Sequence, residues 1–283
     1  MIQSNSTQIN ILSFDIEEWY IYDKLRKGSK DYYLPILKNY LFEILKNLDQ
    51  RNIKATFFCL GIIARQNPWV IKAIQSHGHE IGCHSDLHHL IHSQSFKDFE
   101  EDTRIALDSL QQVLGQKVIV YRAPAFSISL KNSWTFEVLM DAGIEYDSSI
   151  ILNRTNLNML SSIKTENPFT ISIGNNKLRQ FPLRTRILFG KQFLITGGGH
   201  FRILPNRVIY KNMQSSDYNM AYFHIRDFDV KQKRIIGPRY FQSYYGINSS
   251  FSKFKTLLDS FQFNSLSEAS AGINWEEYPT IYF

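Results

Sequence analysis

The strongest constraint on this chain is an alternation. Across roughly the first 150 residues, short runs that are apolar on both faces alternate four times with segments whose apolar residues recur at helical spacing. Ile9–Phe14 (INILSF) reads as a buried strand ending at Asp15. Within Tyr33–Gln50, Leu37, Tyr40, Leu41, Ile44, Leu45 and Leu48 predict a helix. Ala55–Leu60 is a second strand, broken at Gly61, and Pro68–His77 a helix with Pro68 in its first turn. His79–Cys83 is the third strand. Phe96–Leu114 is a long helix stopped at Gly115, Val118–Tyr121 the fourth strand, Ser133–Ala142 a helix ended by Gly143, and Ile144–Asp147 the next strand. Strands that are apolar on both faces and separated by helices make a parallel sheet wrapped on both sides. The remainder is less regular. Phe169–Ile173, Gln180–Leu183 and Asn219–His224 read as strands, Gly197–Gly199 as a flexible turn and Phe251–Phe261 as an amphipathic helix. No repeat or linker-like composition interrupts the chain, so a single α/β domain with a barrel-like core is expected.

Composition narrows the class. The 283 residues are 43% hydrophobic and 20% charged, which excludes wholesale disorder and a fibrous repeat. The longest apolar runs fall well short of the ~20 residues that span a bilayer. The formal charge is +6, but the densest basic groups (24–30, 179–186 and 231–239) contain no run of five like charges. A solvated mixed surface is therefore expected, with no nucleic-acid partner. Cys59 and Cys83 make no disulfide framework, and the first residues show no basic stretch leading into an apolar one. The expectation is a reducing, cytoplasmic setting, with peripheral recruitment to a membrane-bound intermediate by the basic surface.

Polar residues stand where strands end, which is where α/β barrels carry their reacting groups. They are Asp15 and Glu17, His84 and His88, Arg122, Asp147 and His224. His84 and His88 are four apart. If they open a helix, both rings share a face, as chelation requires. Ser85 replaces the Glu of a zincin, so that protease class is disfavoured. The same stretch also reads as a solvated His-rich loop. Asp15 and Glu17 share a face of an extended strand; one can complete a His₂-carboxylate site while the other acts as a base, or both can belong to a solvated acidic turn. Arg122 can clamp a carboxylate and hold it ionised. Pro124 fixes the following turn and leaves the Ala125 N–H free to face a ligand. His224 ends an apolar strand, and Asp147 is the natural group to orient such a histidine, although a core histidine and a turn cap are the plainer readings.

Together SFDIEEW, HSDLH, RAPAF, IEYDSSI and AYFH resemble, in order, the motifs of the polysaccharide deacetylase (NodB-homology) family. With FFCLG, the FPL…GGGHFRILP stretch and YFH…D, the likeness covers 8–270. It is similar to an exopolysaccharide-locus subfamily with an extra C-terminal segment within 151–270. The resemblance implies a distorted (β/α)₇ barrel and metal-dependent hydrolysis of N-acetyl groups on an amino-sugar polymer or its lipid-linked precursor. It also implies His84, His88 and Glu17 as ligands of a divalent metal, zinc first, and Asp15 as the base held by Arg122. The Ala125 N–H becomes the oxyanion donor, His224 the general acid and Asp147 its orienting carboxylate. Pro124 and Phe126 would line the substrate. The acids Asp15, Glu17 and Glu18 depart from the family's adjacent aspartates, so base and third ligand are open to exchange. Ala221 stands where a leucine usually packs the acetyl methyl, and Phe126 is displaced by one from the usual aromatic. The resemblance leaves two other readings: an allantoinase-like hydrolase of a non-sugar C–N bond, and a degenerate member that only binds glycan. His200 and Arg184, in the subfamily-specific part, have no role that chemistry assigns.

Overall fold

The computed structural model describes residues 8–17, 30–129, 132–152, 165–188, 190–232, 241 and 244–283. Glu18 and the basic groups at 24–30 and 231–239 lie wholly or partly outside them. Six strands are parallel neighbours: β11 (Tyr218–His224), β1 (Ile9–Ile16), β2 (Thr56–Cys59), β3 (Glu80–Cys83), β4 (Val120–Tyr121) and β5 (Tyr146–Asp147), in that order. β8 (Asn176–Gln180) pairs parallel with β5, and β7 (Phe169–Ile173) and β12 (Thr280–Tyr282) extend the sheet beyond it.

A smaller sheet closes the barrel. β6 (Ile151–Leu152) continues β5, and β9 (Leu183–Leu188) continues β8; these two pair with each other, while β10 (Lys191–Leu194) pairs antiparallel with β9. Asp147 faces Gln180 and Ile151 faces Leu183, so Ser148, Ser149 and Ile150 oppose only Phe181 and Pro182. One extra residue on one strand is a β-bulge, and it bends the pair. Across the remaining gap to β11, Arg184 Nη1 donates to the Tyr218 carbonyl (2.8 Å) and Tyr222 N–H to the Thr196 carbonyl (3.1 Å). The expected strand over 180–183 thus straddles the break between β8 and β9, because Pro182 has no N–H for a ladder.

Helices α1 (Lys30–Asp49), α2 (Gly61–Gln66), α3 (Pro68–Ser76), α4 (Phe96–Leu114), α5 (Trp134–Asp141), α6 (Gly198–Ile203), α7 (Asn206–Gln214), α8 (Ile247–Ser260) and α9 (Leu266–Ala271) follow or flank the strands. α4 has the expected bounds. Ser95 and Asp98 form its capping box, and Gly115, at φ 70°, ends it in the left-handed region. The strand ends before Gly61 as expected, and Gly61 opens α2. A Cβ there would lie 2.7 Å from the Ala106 Cα of α4, so glycine is needed for close approach.

Two cores result from the strand alternation. Phe14, Phe57, Phe223 and Phe254 pack in the outer core between strands and helices, with Phe14 stacked on Phe57 at 4.8 Å. Ile11, Phe58, Val120, Phe181 and Met220 fill the barrel interior. Cys59 and Cys83 are buried, unpaired partners on adjacent strands.

Candidate active site

The register aligns the strand ends: Asp15 partners His224, Ile16 partners Cys59, Cys59 partners Cys83, Cys83 partners Tyr121 and Tyr121 partners Asp147. Polar residues at or just past this row therefore share one rim. On β1, Ile11 points into the barrel, so Asp15 and Glu17 point inward in the same phase.

Glu17 is the hub. Its Oε2 lies 3.0 Å from His84 Nε2 and 2.7 Å from His88 Nε2, and its Oε1 lies 3.0 Å from His224 Nε2. Arg226 Nη1 approaches Oε1 at 3.4 Å. Burial alone would push this carboxyl up. The facing His224 and the bonds from the three imidazoles outweigh burial and hold it well below the usual carboxylate range.

The two histidines converge without a helix. Residues 84–90 form a loop in which Ser85 (φ 70°) and His88 (φ 58°) adopt left-handed conformations. Its backbone bonds run elsewhere: Gly61 N–H donates to the Ser85 carbonyl, Ile62 N–H to that of Asp86, and His88 N–H to Ser85 Oγ (2.9 Å). Asp86 is anchored by Arg65 and by its own N–H on Asp102. The expected helical route to chelation is thus replaced by a pinned turn that brings the rings to 5.3 Å. His84 Nδ1 sits 2.7 Å from the Arg122 carbonyl, an acceptor, so Nδ1 carries the proton and Nε2 is the ligating nitrogen.

Glu17, His84 and His88 offer ligand atoms within 4.8 Å of one another. Two imidazole nitrogens at 3.0 and 2.7 Å from one carboxylate oxygen suit a divalent ion at bond lengths of about 2.0–2.2 Å. The donor set therefore fits a metal, and Glu17 rather than Asp15 completes it. Asp15 instead receives Arg122 Nη1 at 2.7 Å. Arg122 is fully buried. Its Nε donates to the Ser148 carbonyl and its Nη2 to Ser148 Oγ, and it lies 4.1 Å above the Phe58 ring. Among the described residues, this fixation gives the Asp15 carboxylate one partner and one set orientation.

The partner of His224 differs from the expectation. Asp227 Oδ2 lies 3.4 Å from His224 Nδ1 and accepts the His224 N–H at 2.9 Å. Asp227 also pairs with Arg202 of α6. Hydrogen bonding to His224 and the Arg202 charge drive its carboxyl down against burial. Burial and Arg226 pull His224 down, but Glu17 and Asp227 prevail and raise it to about 10, so the ring is charged at neutral pH. Asp147 does not orient this ring. Its carboxylate is bonded by Ser149, through both Oγ and N–H, and burial raises it to about 7. Asp147 ends β5, whereas Asp227 stands three residues after His224 on the same turn, which is why the nearer carboxylate takes the role.

Pro124–Phe126 is a single tight turn whose bonds run from Phe126 N–H to Ala123 and from Ser127 N–H to Pro124. Ala125, at φ 49°, is exposed at its tip. Phe126 meets the Tyr222 ring edge-on at 5.2 Å. Tyr222 was not singled out in the sequence. Two residues before His224, it shares that residue's face of β11 and lies 5.7 Å from its ring; Ala221 and Phe223 point into the outer core instead. Period-two spacing back from His224 was the available signal. His200 Nδ1 accepts the Leu194 N–H, and Arg184 and Arg186 share Glu166.

The polysaccharide deacetylase family profile matches residues 23–146, and that of a domain of unknown function, DUF3473, matches 148–271. Residues 23–146, under half of the chain, are thus similar to polysaccharide deacetylases. The deacetylase match contains His84, His88 and Arg122, whereas His224 and Asp227 lie in the second one. The sequence is 28% identical over 106 residues to a peptidoglycan-N-acetylglucosamine deacetylase of Bacillus cereus, covering 38% of this chain and 48% of that protein. The chain thus matches about half the length of that curated relative. Its fold is shared with a putative polysaccharide deacetylase of Mycobacterium smegmatis (TM-score 0.69, 16% identity, 98% and 94% of the two chains). A probable polysaccharide deacetylase of Pseudomonas aeruginosa is also similar (TM-score 0.61, 14% identity, 94% and 91%). The shared fold is the α/β barrel expected from the alternation, distorted as the family resemblance implies.

Proposed function

We propose that the protein is a metal-dependent hydrolase that removes N-acetyl groups from amino sugars of a polysaccharide. The observation that carries this reading is the placement of Glu17. One oxygen faces two imidazole nitrogens and the other faces a protonated histidine, with the Asp15–Arg122 pair on the same rim. A divalent ion held by Glu17, His84 and His88, zinc first, would polarise the acetamide and make water more acidic. Asp15, oriented by Arg122, takes the proton of the attacking water. The Ala125 N–H would receive the developing oxyanion, a contribution of about 3–4 kcal/mol for one such donor. His224, charged and seated on Asp227, delivers a proton to the departing amine. The glycan substrate is supported by the relative that acts on peptidoglycan N-acetylglucosamine.

The test is acetate release from N-acetylated oligosaccharides by the full chain, with metal content measured alongside. Stoichiometric metal and acetate release, both lost in His84→Ala, are expected. Release that persists at full rate in His84→Ala removes the reading.

A further inference from the structure

Beyond β5 the sheet leaves the barrel, and its two faces differ. Ile171, Leu178 and Ile281 pack one face into the outer core. On the other, Arg179, Thr170 and Thr280 are register partners in one cross-strand row over β8, β7 and β12. The segment before β12 rises over this row and turns it into a cleft of about 630 Å³, within the range of small-ligand sites.

Trp275 and Tyr278 form its aromatic wall, with ring centroids 6.0 Å apart. Trp275 is fixed in place: its Nε1 donates to Ser270, and its ring meets Phe181 at 5.4 Å. Arg179 lies 5.1 Å from that indole and donates to the Tyr146 hydroxyl, holding its guanidinium against the cleft floor. Lys177, Glu145 and Glu276 complete the charged lining. Among the described residues, none of these four charged groups forms an ion pair. Two cations and two anions cancel, so the cleft attracts neither a polyanion nor a polycation. Charged donors and acceptors left unpaired beside hydroxyls and flat aromatic faces suit a ligand with many hydroxyls and an apolar C–H face.

We propose that this cleft is a second glycan site that binds a short neutral pyranose segment apart from the catalytic rim. None of Glu17, His84, His88 or His224 lines it. The inference does not rest on the catalytic reading, because it concerns binding and is tested with the rim disabled.

Titration calorimetry of the full chain carrying His84→Ala, with a β-1,4-linked N-acetylglucosamine pentamer as probe, provides the test. Binding is expected in this background, and Tyr278→Ala with Glu276→Gln should weaken it at least tenfold while leaving the melting temperature unchanged. If Tyr278→Ala lowers the melting temperature, Lys177→Ala, at an exposed strand position, serves in its place. No binding of the pentamer, binding indifferent to the cleft substitutions, or preference for polygalacturonate over the pentamer would each overturn the proposal.

Discussion

The candidate site has two halves held by different means. Glu17 and His84 stand just past the ends of β1 and β3, where the parallel register fixes their relative height, and the pinned 84–90 loop brings His88 to them. His224 shares that register through its partner Asp15, but its ring is held by Asp227 and, through it, by Arg202 of α6. The first half is set by the sheet and the second by a chain of buried side-chain contacts reaching into the C-terminal segment. Under the proposed function, the half that would hold the metal should tolerate loss of the half that would donate the proton, whereas activity should need both.

The largest expected effect strikes the first half. His84→Ala should reduce acetate release more than about 10³-fold and abolish stoichiometric metal, read by elemental analysis. His224→Ala should cost about 10²–10⁴-fold in kcat yet keep its metal. Metal loss in both variants would show that the halves are one unit. Asp227→Asn tests the positioning chain. Acetate release should fall about 10–100-fold in kcat with little change in KM, and Asp227→Glu should recover part of it. Gly197→Ala tests the same half through packing, since a Cβ there would lie 2.6 Å from the Tyr222 carbonyl oxygen. A stability loss of about 1–3 kcal/mol is expected from denaturant midpoints.

The smallest effect on catalysis is expected at Asp147. Asp147→Asn should leave acetate release within about threefold. Its signature is in stability. Burial raises Asp147 to about 7, so the folded chain holds a proton that the unfolded chain has released above about pH 4. Stability therefore falls as pH rises between those two values. Asn cannot ionise, so urea midpoints of the variant should lose that slope. A large loss of activity with an unchanged slope would return the orienting role to Asp147.

The first half was legible because local rules govern it. Buried strands, helical spacing over 96–114 and paired histidines all leave marks within a few residues. Even there two routes stayed open, a helix or a His-rich loop, and His84 and His88 meet in a loop through left-handed turns at Ser85 and His88. Gly61 shows a related limit: the strand ends before it as expected, but its close approach to Ala106, a residue 45 positions away, leaves no local mark. The choice of Asp227 over Asp147 required knowing which carboxylate reaches Nδ1, and no spacing rule states that. Arg202 and Tyr222 were equally silent, because their partners come from distant elements.

The bulge between β5–β6 and β8–β9 carries one more implication. Ser148 and Ser149 sit in the surplus residue stretch and bond Arg122 and the Ala123 N–H. Deleting one residue there would restore even pairing, and side chains on one flank would swap inside for outside. An indel scan should therefore find this short stretch intolerant of length change, even though it is formally a break between strands.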